Sequence, residues 1–237
     1  MSPARLGVPE HFRGARFDHV TLVVDYRHGT VHALTGQTAR IWAATATDGA
    51  ETITATHARL ADAGLLTERG SRRPPVPGKA TELSFGAEEY QAGTAEHQRR
   101  APTALGLRAV LALILTLTVR GAGPTPGTMA RLLRLVERAH RTTRRPATPA
   151  EATAAVQTVR AVARWVPVRV ACLEESVAAV IALALARAGV TWCHGVATDP
   201  HSLHAWIECD GTPVAEPAST SRFTTLRTIP EPHQETE

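Results

Sequence analysis

Residues 172–189 read CLEESVAAVIALALARAG, residues 190–197 read VTWCHGVA, and residues 201–211 read HSLHAWIECDG. The first segment carries apolar side chains at helical spacing and stops at Gly189, which predicts a core helix over residues 173–188. The next two segments read as strands, and Asp210-Gly211 turns the chain into a short third strand at 212–216. This order of one helix and three strands predicts an α+β fold for the last third of the chain.

Cys172 lies at or just before the start of the predicted helix. A helix N-terminus presents unpaired amide hydrogens and a partial positive charge, and both stabilise a thiolate or an oxyanion. Cys172 is therefore a candidate nucleophile, although a lone cysteine is more often a buried structural residue. Glu174 and Glu175 suit the helix dipole but would oppose a thiolate nearby.

His204 is the candidate base. Alternation along the strand at 201–209 places His204 on one face with Trp206, while Ala205 and Ile207 lie on the opposite face. The aliphatic face is the expected core side, so His204 is expected to face a cleft or water. The alternative is a surface histidine without a catalytic role.

Glu216 is the candidate third residue of a group with Cys172 and His204. The length of the turn before it decides whether its side chain points toward His204. A two-residue turn at Asp210-Gly211 would place Cys209 opposite Thr212 and would point Glu216 away from His204. A three-residue loop with a left-handed Gly211 would instead place His204 opposite Glu216. The sequence allows both, and the catalytic interpretation is expected to require the three-residue loop.

A resemblance to a known family rests on two motifs, Cys172-Leu173-x-x-Ser176 and His204-Ala205-Trp206-Ile207-Glu208-x-x-Gly211. They resemble the transglutaminase-like cysteine peptidases of lasso-peptide biosynthesis, the leader peptidases or B proteins. The 32 positions from Cys172 to His204 and the 12 from His204 to Glu216 also match that family. Most members carry aspartate where this chain has Glu216, and the resemblance covers residues 103–217.

The resemblance implies a cysteine peptidase that removes the leader from the core of a ribosomally made lasso precursor, without ATP, metal or another cofactor. Cys172 would attack the amide between leader and core, with its own backbone amide hydrogen holding the oxyanion. His204 would take the thiol proton and pass it to the leaving amine, while Glu216 would fix the imidazole tautomer. Implied partners are the precursor peptide and the lasso cyclase of the same pathway.

The N-terminal segment predicts a small α+β module. Residues 19–26 alternate, turn at 27–29 and continue as 30–34, and helices are expected at 35–45 and 54–63. The order of a strand pair and helices resembles a winged helix. Two motifs, Asp25-Tyr26-Arg27-x-Gly29 and Ala39-Arg40-Ile41-Trp42, resemble the leader-recognition domain related to the pyrroloquinoline-quinone biosynthesis chaperone.

That second resemblance implies recognition by strand addition. An extended leader would pair with the edge at residues 31–34, and its side chains would enter a groove beside the helix that ends near Leu65. The candidate leader-binding residues are Val31, His32, Ala33, Leu34, Leu60, Leu65 and Leu66.

Length, composition and charge suggest two domains in the 237 residues. Residues 1–69 are expected to form the recognition domain, 70–102 a Pro- and Arg-rich linker, and 103–237 the peptidase domain with helical segments at its start. Net charge is −1 over residues 1–68, +9 over 69–145 and −4 over 146–237. The basic pI of 9.5 therefore belongs to the middle of the chain.

A cytoplasmic location is expected from three features. The N-terminus has no apolar signal-like core, and three cysteines do not suggest a disulfide scaffold. The most apolar stretch, residues 109–119, is too short for a bilayer, which needs about 20 apolar residues. A buried helix is favoured there over one at a membrane interface, and no membrane partner is expected.

Three alternatives stay open. Thiolates and imidazoles suit zinc, but these residues match no zinc spacing: Cys193, His194, His201, His204 and Cys209. A nucleic-acid-binding winged helix would need basic side chains on its recognition helix, where the segment at 54–63 offers only Arg59 and His57. An acyltransferase of the same fold would use the same three residues, with an amine in place of water.

Overall fold

The computed structural model describes residues 6–50, 52–79, 103–198 and 201–231. The chain divides into two units, Met1–Ala80 and Thr81–Glu237, with helices and strands in each. This mixture confirms the predicted α+β class.

The first unit is built on an antiparallel three-stranded meander. The strands are β1 (Phe12–Arg16), β2 (Val20–Asp25) and β3 (Thr30–Thr35), and the helices are α1 (Gly36–Asp48) and α2 (Ala55–Asp62). The expected hairpin is present as β2 and β3, whereas β1 was not predicted from the sequence. Strands precede helices in this unit, and the winged-helix assignment stays a prediction.

Trp42 lies at the centre of the first unit. Its side chain is fully buried, and its indole nitrogen donates a hydrogen bond to the carbonyl of Leu65 at 3.2 Å. Thr54 caps α2 through its side chain, which accepts from the backbone amide of His57. The first contact ties α1 to the segment that follows α2, and the second fixes the start of α2.

The residues predicted as the start of the linker instead belong to the first unit. Val76–Pro77 form β4, which pairs in parallel with β1 and gives the sheet order β3-β2-β1-β4. The amides of Ser71 and Gly78 donate to the carbonyls of Val8 and Arg16. Proline is tolerated on an edge strand because the outer side needs no ladder hydrogen bond. The remainder of the predicted linker, residues 80–102, lies outside the described residues.

Four helices begin the second unit: α3 (Thr103–Gly121), α4 (Thr128–Arg141), α5 (Pro149–Ala163) and α6 (Cys172–Ala184). The predicted start of α5 is confirmed, because Thr148 and Glu151 form a capping box ahead of Pro149. Helix α6 packs against the other three helices and the sheet, and its residues from Ser176 onward are buried. The helix therefore holds its first residue, Cys172, at a fixed place.

The expectation of a buried helix at 109–119 is wrong for one face of α3. Ala109, Leu113 and Thr116 are buried, but the opposite face exposes aliphatic side chains. Within the described chain, α3 is long and apolar enough to cross a membrane by length and composition alone. Many core helices of soluble proteins share that property, so this is weak evidence for a membrane span.

The sheet of the second unit has the order β10-β7-β8-β9, with all neighbours antiparallel. Its strands are β7 (Thr191–Ala197), β8 (Ser202–Cys209), β9 (Thr212–Pro213) and β10 (Thr224–Ile229). Two further two-residue strands, β5 (Arg145–Pro146) and β6 (Ala188–Gly189), pair in parallel. A 3-10 helix at Ala218–Arg222 joins β9 to β10.

Candidate active site

Cys172 is the first residue of α6, as the sequence predicted, and its thiol is free and half-buried. The helix is tied to the sheet because the indole nitrogen of Trp192 donates to the hydroxyl of Ser176 at 3.0 Å. The carboxylate of Glu174 accepts a hydrogen bond from the amide of Ala171 at 3.0 Å, which closes the first turn. The thiol thus lies at the positive end of a rigid helix.

The two glutamates beside Cys172 are paired with arginines. The guanidinium of Arg120 lies 3.3 Å from the carboxylate of Glu174, and that of Arg160 lies 3.1 Å from Glu175. Opposite charges at these distances offset the negative field that the sequence suggested would oppose a thiolate. The acidic first turn is therefore compatible with a nucleophilic cysteine.

The sequence predicts that His204 faces a cleft or water, and the structure excludes water, because the side chain is only 4% exposed. Its ring stacks on Trp206 with centroids 5.6 Å apart, and Phe223 lies 5.1 Å away on a tilted plane. Alternation along β8 places these two side chains as predicted, but Phe223 covers that face of the strand. Both faces of β8 are thus buried, which alternation alone does not reveal.

The two nitrogens of His204 have different surroundings. Nε2 lies 2.7 Å from Oε2 of Glu216, whereas Nδ1 is buried and makes no hydrogen bond to any described residue. Burial lowers the pKa of His204, but interactions with the Cys172 thiol and the Glu216 carboxylate outweigh it and raise the pKa to about 9. Since Glu216 occupies Nε2, we infer that Nδ1 is the nitrogen beside the thiol.

The turn before Glu216 differs from the one that the catalytic interpretation was expected to need. Cys209 pairs with Thr212, so Asp210 and Gly211 form a two-residue turn, both with positive φ. Regular pairing would point Glu216 away from His204, but β9 ends after two residues. Ala215 then adopts φ 53°, a left-handed conformation that redirects the next side chain toward His204. The expectation that a catalytic arrangement requires a three-residue loop is therefore wrong, but the side chains of His204 and Glu216 do lie close together.

Arg160 on α5 is a site residue that the sequence did not suggest. Its guanidinium donates to Oε1 of Glu216 and to the carbonyl of Ala215, both at 2.6 Å, while also reaching Glu175. Burial lowers the pKa of Arg160, but the two carboxylates outweigh it and raise the pKa. The 56 positions between Arg160 and Glu216 leave no local signal that could have linked them.

A second hydrogen-bond donor, the hydroxyl of Thr220, reaches Oε2 of Glu216 at 3.3 Å. The carboxylate of Glu216 is thus buried and fully engaged by His204, Arg160 and Thr220. A cavity of about 10 Å³, room for about one water molecule, adjoins this group. It is lined by Val156, Arg160, Cys172, Glu175, Ser176, Ala205, Trp206, Ile207 and Glu216.

The residues considered for zinc do not form a metal site. Among the described residues, no group of three or more His, Cys, Asp or Glu side chains is arranged to hold a metal ion. Burial raises the pKa of Cys193 and lowers that of His194, so both side chains are neutral at neutral pH. Cys209 donates its thiol hydrogen to the carbonyl of Ala147.

The candidate leader-binding residues divide into two groups in the first unit. Residues 31–34 lie on β3, the end strand of the sheet, where Val31 is 40% exposed, His32 is half-buried and Ala33 is exposed. The side chains of the other group are buried in the core: Leu34, Leu60, Leu65 and Leu66. The structure therefore presents the strand edge but fills the expected groove with core side chains.

Comparisons with known proteins agree with the site's location. Residues 115–228 match the family model of the transglutaminase-like superfamily. No curated protein and no solved structure matches the chain. Proteins of this superfamily are usually cysteine peptidases or acyltransferases. Residues 115–228 are therefore a transglutaminase-like domain, and Cys172, His204 and Glu216 all lie inside it.

Proposed function

We propose that this protein is a leader peptidase of lasso-peptide biosynthesis, a cysteine peptidase that acts in the cytoplasm. The observation that carries the catalytic part is the 2.7 Å contact between Nε2 of His204 and Oε2 of Glu216, in a histidine whose pKa is raised by both Cys172 and Glu216. The transglutaminase-like domain supports cysteine acyl chemistry in general. The motifs around Cys172 and His204, together with the spacing to Glu216, support the narrower assignment to leader cleavage.

In the proposed reaction, Nδ1 of His204 takes the thiol proton and the Cys172 sulfur attacks the carbonyl carbon between leader and core. The backbone amide hydrogen of Cys172 stabilises the negative oxygen of the tetrahedral intermediate. The imidazolium then gives its proton to the leaving amine, which releases the core and leaves the leader as a thioester. Water, deprotonated by His204, hydrolyses the thioester and frees the thiol.

Electrostatics at the site favour the imidazolium that this cycle forms. With its pKa raised to about 9, His204 holds a proton readily once Cys172 has lost one. Glu216 stabilises that imidazolium and keeps Nε2 protonated, which leaves Nδ1 as the acceptor. Arg160 and Thr220 hold the carboxylate in its position.

The first unit is proposed to hold the leader by strand addition to β3. The outer edge of β3 has no neighbouring strand within the described sheet, and its exposed side chains are short or apolar. Main-chain hydrogen bonds would supply affinity, with contacts to Val31 and Ala33 adding selectivity. The buried leucines at 60, 65 and 66 would support the strand from below rather than contact the leader.

The test mixes the full chain with the precursor peptide of the same gene cluster and follows masses over time. The proposal predicts free leader and free core with the wild type, and no cleavage with Cys172→Ala. Cys209→Ala is the matched control, since this thiol is buried away from His204, and it should keep the activity. Cleavage that survives Cys172→Ala would disprove the cysteine mechanism. A leader joined to an added amine instead of released acid would identify an acyltransferase.

A further inference from the structure

The outward face of α3 carries a continuous aliphatic stripe. Five side chains at helical spacing are between 37 and 62% exposed: Leu107, Val110, Leu111, Ile114 and Leu115. They lie opposite the buried face of the helix, which is formed by Ala109, Ala112, Leu113 and Thr116. Soluble surfaces seldom expose aliphatic side chains in such a row, so the stripe marks a contact surface.

The neighbouring helix α4 carries a row of arginines. Arg134, Arg138 and Arg141 are spaced by four and three residues and are exposed, while Leu132, Leu133 and Val136 of the same helix are buried. None of these three guanidiniums forms a salt bridge to a carboxylate of the described residues. The one glutamate of α4, Glu137, pairs with Arg227. The row is therefore available to an anionic partner.

The stripe and the arginine row lie on two neighbouring helices of the second unit. Helices α3 and α4 contact each other, and both also pack on α6. Their outward faces consequently point away from α6. Residues 103–145 contain eight arginines and one glutamate, so the whole region is strongly basic.

We propose that this surface of α3 and α4 binds an anionic phospholipid membrane peripherally. The aliphatic stripe would enter the acyl boundary and the arginines would contact phosphate groups, as in interfacial amphipathic helices. Pairing of two copies through the same face would bring the arginine rows together and is opposed by their charge. The exposed stripe contains no aromatic side chain, whereas protein interfaces are enriched in them.

The binding mode differs from a transmembrane span. The buried face of α3 packs on α5 and α6, so insertion of the whole helix would break the core of the second unit. Surface contact leaves that core intact. The proposal does not depend on the peptidase assignment, because none of the surface residues touches Cys172, His204 or Glu216.

The test is vesicle co-sedimentation of the full chain with phosphatidylglycerol–phosphatidylcholine vesicles and with phosphatidylcholine vesicles alone. Binding is expected on the anionic vesicles, weakening with salt, and at least about tenfold weaker on neutral ones. The double variants Leu111→Ser/Ile114→Ser and Arg134→Glu/Arg138→Glu should each lose binding. Ile53→Ser/Arg59→Glu is the matched control, since these exposed residues lie in the first unit, and it should bind as wild type.

Alkylation of Cys172 and circular dichroism verify that each variant is folded. Failure of the wild type to sediment with anionic vesicles at low salt would overturn the proposal. Equal binding by the stripe variant and the wild type would do the same. Sedimentation velocity on the same proteins tests whether the stripe instead pairs two copies of the chain. A wild-type dimer that dissociates in the Leu111→Ser/Ile114→Ser variant would show such pairing and would overturn the membrane proposal.

Discussion

Replacement of Glu216 by glutamine should separate the effect of the carboxylate's charge on His204 from the effect of its shape. The rise in the pKa of His204 from 6.5 to about 9 corresponds to about 3 kcal/mol in favour of the imidazolium, net of the opposing burial. Glutamine keeps an oxygen for Nε2 but carries no charge, so the contribution of the Glu216 charge is lost while that of the Cys172 thiol remains. We expect the pKa of His204 to fall by roughly one unit in Glu216→Gln.

The consequence for stability has a definite sign. His204 has a higher pKa in the folded chain than in the unfolded one, so its stabilising contribution is complete below pH 6.5. That contribution disappears as the pH rises through about 9. The free energy of unfolding of the wild type should therefore fall by up to about 3 kcal/mol across this range through His204, and in Glu216→Gln this fall should be smaller by roughly 1 kcal/mol.

The assay is urea unfolding followed by tryptophan fluorescence, at several pH values between 6 and 10, together with the NMR titration of the His204 ring. Subtracting the unfolding free energy of the variant from that of the wild type at each pH removes the contributions of the other titrating groups, which both proteins share. Glu208→Gln is the matched control, because Glu208 bonds to the indole of Trp206 rather than to His204. Identical pH dependence in wild type and Glu216→Gln, or a ring that still titrates near 9, would refute the reasoning.

Three further predictions concern the supports of the site and the strand edge. Arg160→Ala should lower kcat at least about tenfold while leaving Cys172 in place. Arg160→Lys should restore only part of kcat, since lysine cannot bond Glu216, Ala215 and Glu175 from one planar group. Rates measured over a pH series verify this prediction, and an unchanged pH–rate profile would contradict it. Ala215→Gly should keep activity and should keep stability within about 1 kcal/mol of the wild type. Ala215→Val should lose both, because a β-branched residue resists φ 53°. Equal melting temperatures of Ala215→Val and the wild type would argue against the left-handed conformation. Val31→Lys should weaken leader binding about tenfold by blunting the β3 edge without changing alkylation of Cys172, and Ile53→Lys serves as its control in fluorescence anisotropy.

The local parts of the site follow directly from the sequence. Helical spacing and the N-terminal position of Cys172 predicted α6 correctly, and alternation placed His204 and Trp206 on one face. Both inferences use the period of a single element, which short stretches of sequence contain. The capping box at Thr148 is equally local and equally well predicted.

The remaining parts depend on contacts between distant segments. Burial of His204 comes from Phe223, and the anchoring of Glu216 comes from Arg160, neither of which any local pattern indicates. The turn was misjudged because regular pairing was assumed to continue to Glu216, while β9 ends at Pro213 and Ala215 changes the chain direction. In α3, apolar composition indicated burial, but composition does not say which faces acquire neighbours.

Glu216 lies on an irregular segment rather than on a strand. The position of its carboxylate therefore does not depend on the length of the hairpin between β8 and β9. Arg160 fixes both the carbonyl of Ala215 and the carboxylate of Glu216 from a different helix. An extra residue at the tip near Gly211 would lengthen the loop but leave that clamp in place. Chains with a different histidine-to-acid interval could thus assemble the same Cys-His-Glu cluster, provided that a guanidinium on the equivalent helix reaches the segment after the turn.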